Sequence, residues 1–316
     1  MKTGAVISAA GHSSREAVFQ PMLSVGGTTV IRRIIITLKQ AGVEPIVVIT
    51  GQDGDRLEKH VAKMGVICLR NEAYETTKMF DSVEMGLRYI EGLCQRVLIL
   101  PVKNPLFLAD TVERLLQTEG KAACPVYHGR RGHPVLISTE LIPGILSYDG
   151  SQGLRGALRQ PDIHPLVEEL PVEDQGIIMP IESDEDWENR KESRITLHSV
   201  CRLYLEGEEI FFGPGITQFL SLVDHTGSMQ TACRQMHMSY SKGWKIVKDA
   251  QKQLGFPLLV TRSGGAEGGF SQLTPQCRDF LRRYLDMEAE LSAESRRLFE
   301  KYFAGENDGR QERGGE

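Results

Sequence analysis

Apolar positions in the first half of the chain follow two alternating patterns. Unbroken apolar, mostly β-branched runs cover Ala5–Ala9, Pro45–Thr50, Val66–Arg70 and Val97–Pro101. Short runs without alternation predict strands buried on both faces. Between them apolar residues recur three and four apart, as at Val30, Ile31, Ile34, Ile35 and Leu38 within Thr29–Ala41. That spacing puts them on one face of a helix. Asp53–Lys63, Ser82–Leu93 and Ala109–Gln117 read the same way, and Ala122–Val126 and Pro134–Ile137 as two more strands. Strands alternating with helices over short connections predict an open α/β sheet covered by helices on both faces, with ligands at the carboxyl ends of the strands.

The pattern changes near residue 183. Ser183–Arg194 is highly charged, a helix or linker closing a first domain of residues 1–190. Leu197–Phe212 alternates about Gly207, which predicts a hairpin. Helical patterns follow at Ile216–His225, Met229–Gln235 and Tyr240–Leu254. Leu258–Thr274 holds two glycine pairs between apolar ends, a flexible hairpin, and Pro275–Phe303 reads as one long helix. These make a second domain of residues 195–303. The tail Ala304–Glu316 has almost no apolar residues and is expected to be disordered.

Composition narrows the class. A length of 316 residues suits two domains, and 41% hydrophobic with 25% charged residues excludes a mostly disordered chain. No apolar run approaches the ~18–20 residues of a membrane span. Six scattered cysteines without a C-x-x-C pair argue against a zinc site or disulfide framework. A cytoplasmic protein without membrane contact is expected. The net charge is −5, yet Gly227 to Arg283 carries nine Lys/Arg against three Asp/Glu. There Ser228 and Ser239 stand as N-caps of two short helices, and the second helix carries Lys242, Lys245, Lys248 and Lys252. With the glycine-rich hairpin as a wing, this pattern predicts a helix-turn-helix, the alternative being a small helical domain with a solvated basic face. Ser239, Tyr240, Ser241 and Lys242 would then meet base edges of double-stranded DNA, and Lys245, Lys248 and Arg262 its phosphates. Phe280, Leu281, Tyr284, Leu285, Leu291, Leu298 and Phe299 give the long helix an apolar face, for a homodimer or for packing back on the first domain.

The first strand runs into Ala10-Gly11-His12-Ser13-Ser14-Arg15. A small-residue turn there lets backbone N–H groups approach a phosphate, with Gly11, Ser13, Ser14 and Arg15 as candidate anion ligands. A plain turn with a serine cap is the alternative. Gly26-Gly27-Thr28, Arg131-Gly132-His133-Pro134-Val135-Leu136, Gly153-Leu154-Arg155 and Gly176-Ile177-Ile178 follow in order. Residues 4–188 thereby resemble the MobA/MocA-like nucleotidyltransferases, which attach CMP or GMP to the molybdenum cofactor. The resemblance implies a Rossmann-like domain for CTP or GTP with Mg²⁺, or for the molybdenum cofactor itself.

The chain departs from that family at its charged positions. Gln20 replaces the lysine that would meet the phosphates, and Val102-Lys103-Asn104-Pro105 stands where the family has G-D-M-P, whose aspartate holds the metal. The family's later acidic segment is Pro180-Ile181-Glu182 here, so Glu182 offers one carboxylate for a metal and Pro180 none. Mg²⁺ takes oxygen ligands, and an ammonium repels it. Losing the metal forfeits about 10³-fold or more in rate. The resemblance so qualified implies a degenerate domain with no assignable catalytic residue. Lys103 then holds an anion directly or is a solvated or paired surface lysine, and His133 fixes a turn or touches the ligand.

In the second domain Phe212-Gly213-Pro214-Gly215, Gly227-Ser228, Met238 to Trp244, Arg262 to Gly269 and Leu273-Thr274-Pro275 occur in order. Residues 195–287 closely resemble the DNA-binding half of the molybdate-responsive ModE regulators, related to LysR-type winged helices. Gln276-Cys277 is a minor departure. The molybdate-binding Mop domains of that family do not follow, so molybdate sensing by that route is not implied. The expectation is an α/β Rossmann-like nucleotidyltransferase domain followed by a winged helix-turn-helix domain: a transcriptional regulator linked to molybdenum cofactor or molybdate metabolism. The first domain would be its sensor for a small anionic ligand. The rivals are an active cofactor cytidylyl- or guanylyltransferase with an appended DNA-binding domain, and a first domain that serves only dimerisation.

Overall fold

The computed structural model describes residues 1–11, 19–25, 27–62, 64–188, 199, 201–236, 238–262 and 270–308. The chain divides into two compact units, Met1–Arg194 and Ile195–Glu316.

The first unit contains strands β1 (Thr3–Ser8), β2 (Ser24–Val25), β3 (Thr28–Thr29), β4 (Ile46–Thr50), β5 (Ile67–Arg70), β6 (Arg96–Pro101), β7 (Ala122–Tyr127), β8 (Arg130–Arg131), β9 (Val135–Ser138) and β10 (Val167–Pro171). Its helices are α1 (Val30–Gln40), α2 (Gly54–Val61), α3 (Met79–Ile90), α4 (Ala109–Gln117), α5 (Ile142–Leu146), α6 (Gly153–Ala157) and α7 (Asp184–Glu188). Eight strands form one sheet in the order β10-β7-β9-β6-β1-β4-β5, with β8 on β7. β1 lies parallel between β4 and β6. β1, β4 and β6 are buried at every position, which is why their central residues are apolar and the polar ones stand at their ends. β9 runs antiparallel to both β6 and β7, so the sheet is mixed.

Three features differ from the sequence pattern. β10 pairs with β7 at the sheet edge, and its exposed Glu168 and Glu169 give it no apolar run to read. The β2–β3 ribbon is only two residues per strand. Helix α3 starts three residues before its apolar period does, because the Lys78 N–H donates to Asp81 Oδ2 at 2.6 Å and so caps an earlier first turn.

The connection after β6 is clamped by a buried carboxylate. Asp174 accepts hydrogen bonds from Leu108 N (2.8 Å), Thr111 Oγ1 (2.7 Å) and Gly176 N (2.9 Å). Ile181 N donates to Lys103 O at 2.8 Å. Of the charged segment expected as helix or linker, 184–188 form α7, entered through Asp186 N donating to Ser183 Oγ (3.1 Å); residues 189–194 lie outside the described residues.

The second unit contains β11 (Leu205–Glu206), β12 (Ile210–Phe212), α8 (Pro214–Thr226), α9 (Met229–Gln235), α10 (Tyr240–Leu254), β13 (Leu259–Arg262), β14 (Phe270–Leu273) and α11 (Pro275–Asp308). It is helical with short hairpins. α10 approaches α9 and α8 at Gly243, where a Cβ would stand 2.5 Å from Cys233 Sγ and 3.2 Å from Phe219 Cζ. Ser271 N donates to Gly227 O (2.7 Å), tying β14 to the end of α8. Phe212 packs edge-on against Phe280 and Tyr284, with ring centroids 5.0 and 4.9 Å away. α11 continues to Asp308, so Ala304–Asp308 is helical rather than the start of a disordered tail. A helix already formed gains one hydrogen bond for each residue it adds. Residues 309–316 lie outside the described residues. Among the described residues no helix is long and apolar enough to cross a membrane.

Asp174→Ala should strand buried donors and lower the stability of the first unit by about 3 kcal/mol. Urea unfolding followed at Trp187, which packs against that unit's core, in a Trp244→Phe background reads this directly. An unchanged midpoint would remove Asp174 as the clamp of the segment after β6.

Candidate functional site

A cleft of about 370 Å³ opens at the carboxyl ends of β1 and β6. β1 delivers Ser8 and leads into Ala9, Ala10 and Gly11; β6 delivers Pro101 and leads into Val102 and Lys103. Phe19, Gln20 and Pro21 close another side, with Gln52 and the segment from Tyr74 to Ser82. Asn71 shapes that last segment. Its Nδ2 donates to Thr77 Oγ1 (2.8 Å) and Ser82 Oγ (3.2 Å), and its Oδ1 accepts from Ala73 N (3.0 Å).

Of the expected anion ligands, Gly11 and Lys103 line the cleft, as does Gln20. His12, Ser13, Ser14 and Arg15 lie outside the described residues. His133 does not line the cleft. Its backbone N–H donates to Ile177 O at 2.9 Å, and its Nδ1 is buried without a hydrogen-bond partner. Burial, and then the Lys103 charge, push its pKa down to about 4, against a hydrogen bond with the Ile99 backbone. The ring is therefore neutral at physiological pH and a weak base.

Lys78 is the lining residue that the sequence pattern hid. It immediately precedes α3, and only the early capping of that helix brings it into the wall. Neither Lys78 nor Lys103 has a carboxylate within ion-pair distance among the described residues. Lys78 still reaches Asp149 through space, adding to the Ser151 hydrogen bonds that lower that carboxyl's pKa. Among the described residues Glu75 is the one acid in the wall, and it accepts from Tyr74 OH at 3.2 Å.

The family resemblance implies Mg²⁺, and the residues present do not fit it. Among the described residues no group of three His, Cys, Asp or Glu is placed to hold a metal. Glu182 is exposed, next to Ile181, whose N–H is bonded to Lys103 O. One carboxylate alone is too small a donor set for a hard dication.

In the second unit the Ser228 and Ser239 hydroxyls accept from Thr231 N and Lys242 N, both at 3.2 Å, as helix caps. α10 buries Gly243, Val247 and Ala250 and exposes Tyr240, Ser241, Lys242, Lys245, Lys248 and Lys252. Residues 241, 245, 248 and 252 fall on one stripe by helical spacing. The Lys248 ammonium stands 5.9 Å from the Trp244 ring centroid. Arg262 ends β13 opposite Phe270; its side chain, like Ser263–Gly269, lies outside what is described. On α11, Leu281 and Tyr284 are buried within the unit's own core, and Phe280 packs on Phe212 and Phe256. Those residues are therefore not free for a second chain. The exposed apolar residues of α11 lie further along, at Met287, Leu291, Leu298, Tyr302 and Phe303.

A histidine that titrates lower folded than unfolded makes the folded state lose stability as pH falls. For His133 the window runs from about 6.5, its unfolded value, down to about 4, and the loss is on the order of 3 kcal/mol. An NMR titration of ¹³C-labelled histidines should place this ring near 4, and Lys103→Gln should raise it. A midpoint near 6.5 would contradict the burial and the proximity of Lys103.

Comparison with known proteins bears on both units. The family model of the MobA-like NTP transferase domain matches residues 5–166. The molybdenum cofactor cytidylyltransferase of Escherichia coli K12 is 25% identical over 189 residues, 59% of this chain and 94% of that protein. The molybdenum transport protein ModE of Azotobacter vinelandii is 29% identical over 84 residues, 27% of this chain. The chain spans only 31% of that protein's length. Rv0371c of Mycobacterium tuberculosis H37Rv has a similar structure, with TM-score 0.52, 20% identity, and coverage of 61% of this chain and 99% of that one. So does a nucleotidyl transferase of Methanothermobacter, at TM-score 0.53, 20% identity, and 60% and 95% coverage. The first unit thus has a mixed α/β nucleotidyltransferase fold, and the chain belongs to the MobA-like NTP transferase family.

Proposed function

We propose that this chain is a DNA-binding transcriptional regulator linked to molybdenum cofactor or molybdate metabolism, its first unit serving as a ligand sensor. The observation that carries the reading is α10: a serine-capped helix with an exposed lysine stripe, following the short helix α9 and followed by the β13–β14 hairpin. Such a helix enters a major groove with its N-terminal residues at the base edges. Tyr240, Ser241 and Lys242 occupy those positions, and Lys245 and Lys248 lie further along toward the phosphates. Each phosphate neutralised releases counterions, so binding falls steeply with salt. The partial likeness to ModE supports the same assignment. In this reading the exposed apolar residues of α11 join two chains, and the two copies of α10 select an inverted repeat with half-sites about one helical turn, ~34 Å, apart or a multiple of it.

Family membership favours a second reading, an active cofactor nucleotidyltransferase with an appended DNA-binding unit. The lysine at 103 and the glutamine at 20 oppose it. A molybdopterin cytidylyl- or guanylyltransfer assay separates the two. The regulator reading expects no metal-dependent turnover approaching ~1 s⁻¹, and turnover at that rate establishes the enzyme.

Selection from random duplexes should enrich an inverted repeat. Lys248→Ala should weaken binding to all sequences alike and reduce the salt slope by about one unit. Tyr240→Ala or Lys242→Ala should instead change the sequence preference, each base-edge interaction removed costing roughly 1–3 kcal/mol of discrimination. No enriched motif, together with an unchanged salt slope for Lys248→Ala, refutes the DNA-binding assignment. Sedimentation of the full chain should give a dimer that Leu291→Glu with Leu298→Glu dissociates; a wild-type monomer at tens of micromolar, roughly where modest interfaces assemble, refutes the pairing.

A further inference from the structure

We propose that the cleft at the ends of β1 and β6 binds a phosphorylated heterocycle without any divalent metal, the ammonium groups of Lys78 and Lys103 supplying the charge that Mg²⁺ supplies to a nucleotidyltransferase. The inference rests on the sensor reading of the first unit and names the ligand class of that sensor.

Three features of the cleft support it. First, the two lysines come from different elements, one before α3 and one after β6, and both reach the same cavity with no carboxylate in ion-pair range among the described residues. Among the described residues no carboxylate offsets these two charges at that distance. Second, the wall between them is mixed. Phe19, Pro21 and Met79 give apolar surface for a flat ring, while Gln20 and Gln52 give neutral amides. A purely inorganic anion needs no such surface. A volume of about 370 Å³ lies in the range of small-molecule sites. Third, the strand end offers a metal no set of ligands among the described residues. Lys103 stands two residues past the end of β6, and Ile181 N holds its carbonyl at 2.8 Å. An ammonium at that position gives charge to phosphate oxygens but no ligand to a dication. Two ammonium groups match part of a polyphosphate's charge and are always in place, so binding does not require Mg²⁺.

Isothermal titration of the full chain with CTP, GTP and unphosphorylated cytidine tests this, each in Mg²⁺ and in EDTA. At least one nucleotide should bind in EDTA, with no gain in affinity from Mg²⁺, and cytidine should bind far more weakly. Pyrophosphate as a fourth probe should also bind more weakly than the nucleotide, because it leaves the apolar wall uncovered. Lys103→Gln and Lys78→Gln should each weaken metal-free binding about tenfold. Lys103→Asp should abolish it in EDTA and restore part of it when Mg²⁺ is added. Circular dichroism melts of each variant show whether the fold survives. If Lys103→Asp does not fold, the two Gln variants decide. Binding that requires Mg²⁺ in the wild-type chain overturns the proposal. So does failure of both nucleotides to bind, or affinity unchanged by both Gln substitutions. Duplex binding measured on the same preparations keeps the two readings apart: loss of the ligand site with DNA binding intact refutes this inference alone.

Discussion

Strand β1 is the constraint on which the first unit depends. It is buried along its whole length and paired in parallel on both sides, to β4 and to β6. No position of it is exposed, so along Ala5–Ile7 it tolerates neither a polar side chain nor a missing partner. Helix α3 lies directly on it, at a place where a Cβ on Gly86 would run into Val6. The register with β6 sets Ser8 opposite Pro101. The turn after β1 and the lysine after β6 therefore arrive side by side. The cleft is a consequence of that register, and its chemistry is decided by the few residues that follow the strand ends.

Separating fold from site chemistry in this way explains how the chain can hold the family architecture whatever charges line its cleft. The buried strands and the Asp174 clamp specify the backbone; residues 20 and 103 only hang from it. Changing a carboxylate to an ammonium at a strand end leaves the core untouched and reverses the sign of the field that a ligand meets. The second unit shows the same division. Gly243, Val247 and Ala250 seat α10, and the lysines on its other side stand exposed.

Much of the fold was legible because burial on both faces leaves a simple trace. β1, β4, β6 and α4 could be read from apolar runs and periods alone. β9 could be read as a strand but not in its direction, since its apolar run carries no record of which way the chain returns. β10 was invisible because an edge strand with two exposed glutamates buries too little. The start of α3 depended on a cap between Lys78 and Asp81, and with it went Lys78, the site residue that was missed. On α11 the apolar face read as continuous, yet Leu281 and Tyr284 are consumed inside the unit while Leu291 and Leu298 are not. Periodicity reports that a residue is on a face, not what covers it.

In the proposed regulator, an anion site built on a nucleotidyltransferase fold governs DNA binding by the second unit. The most direct test is reciprocal linkage: the duplex Kd with and without saturating nucleotide, and the nucleotide Kd with and without saturating duplex, all in EDTA. The account predicts that each ligand changes the other's affinity by one and the same factor, between about 5- and 150-fold, and that Lys103→Gln raises about tenfold the nucleotide concentration needed to reach it. Two ligands that both bind the wild-type chain, with no effect of either on the other, would contradict it.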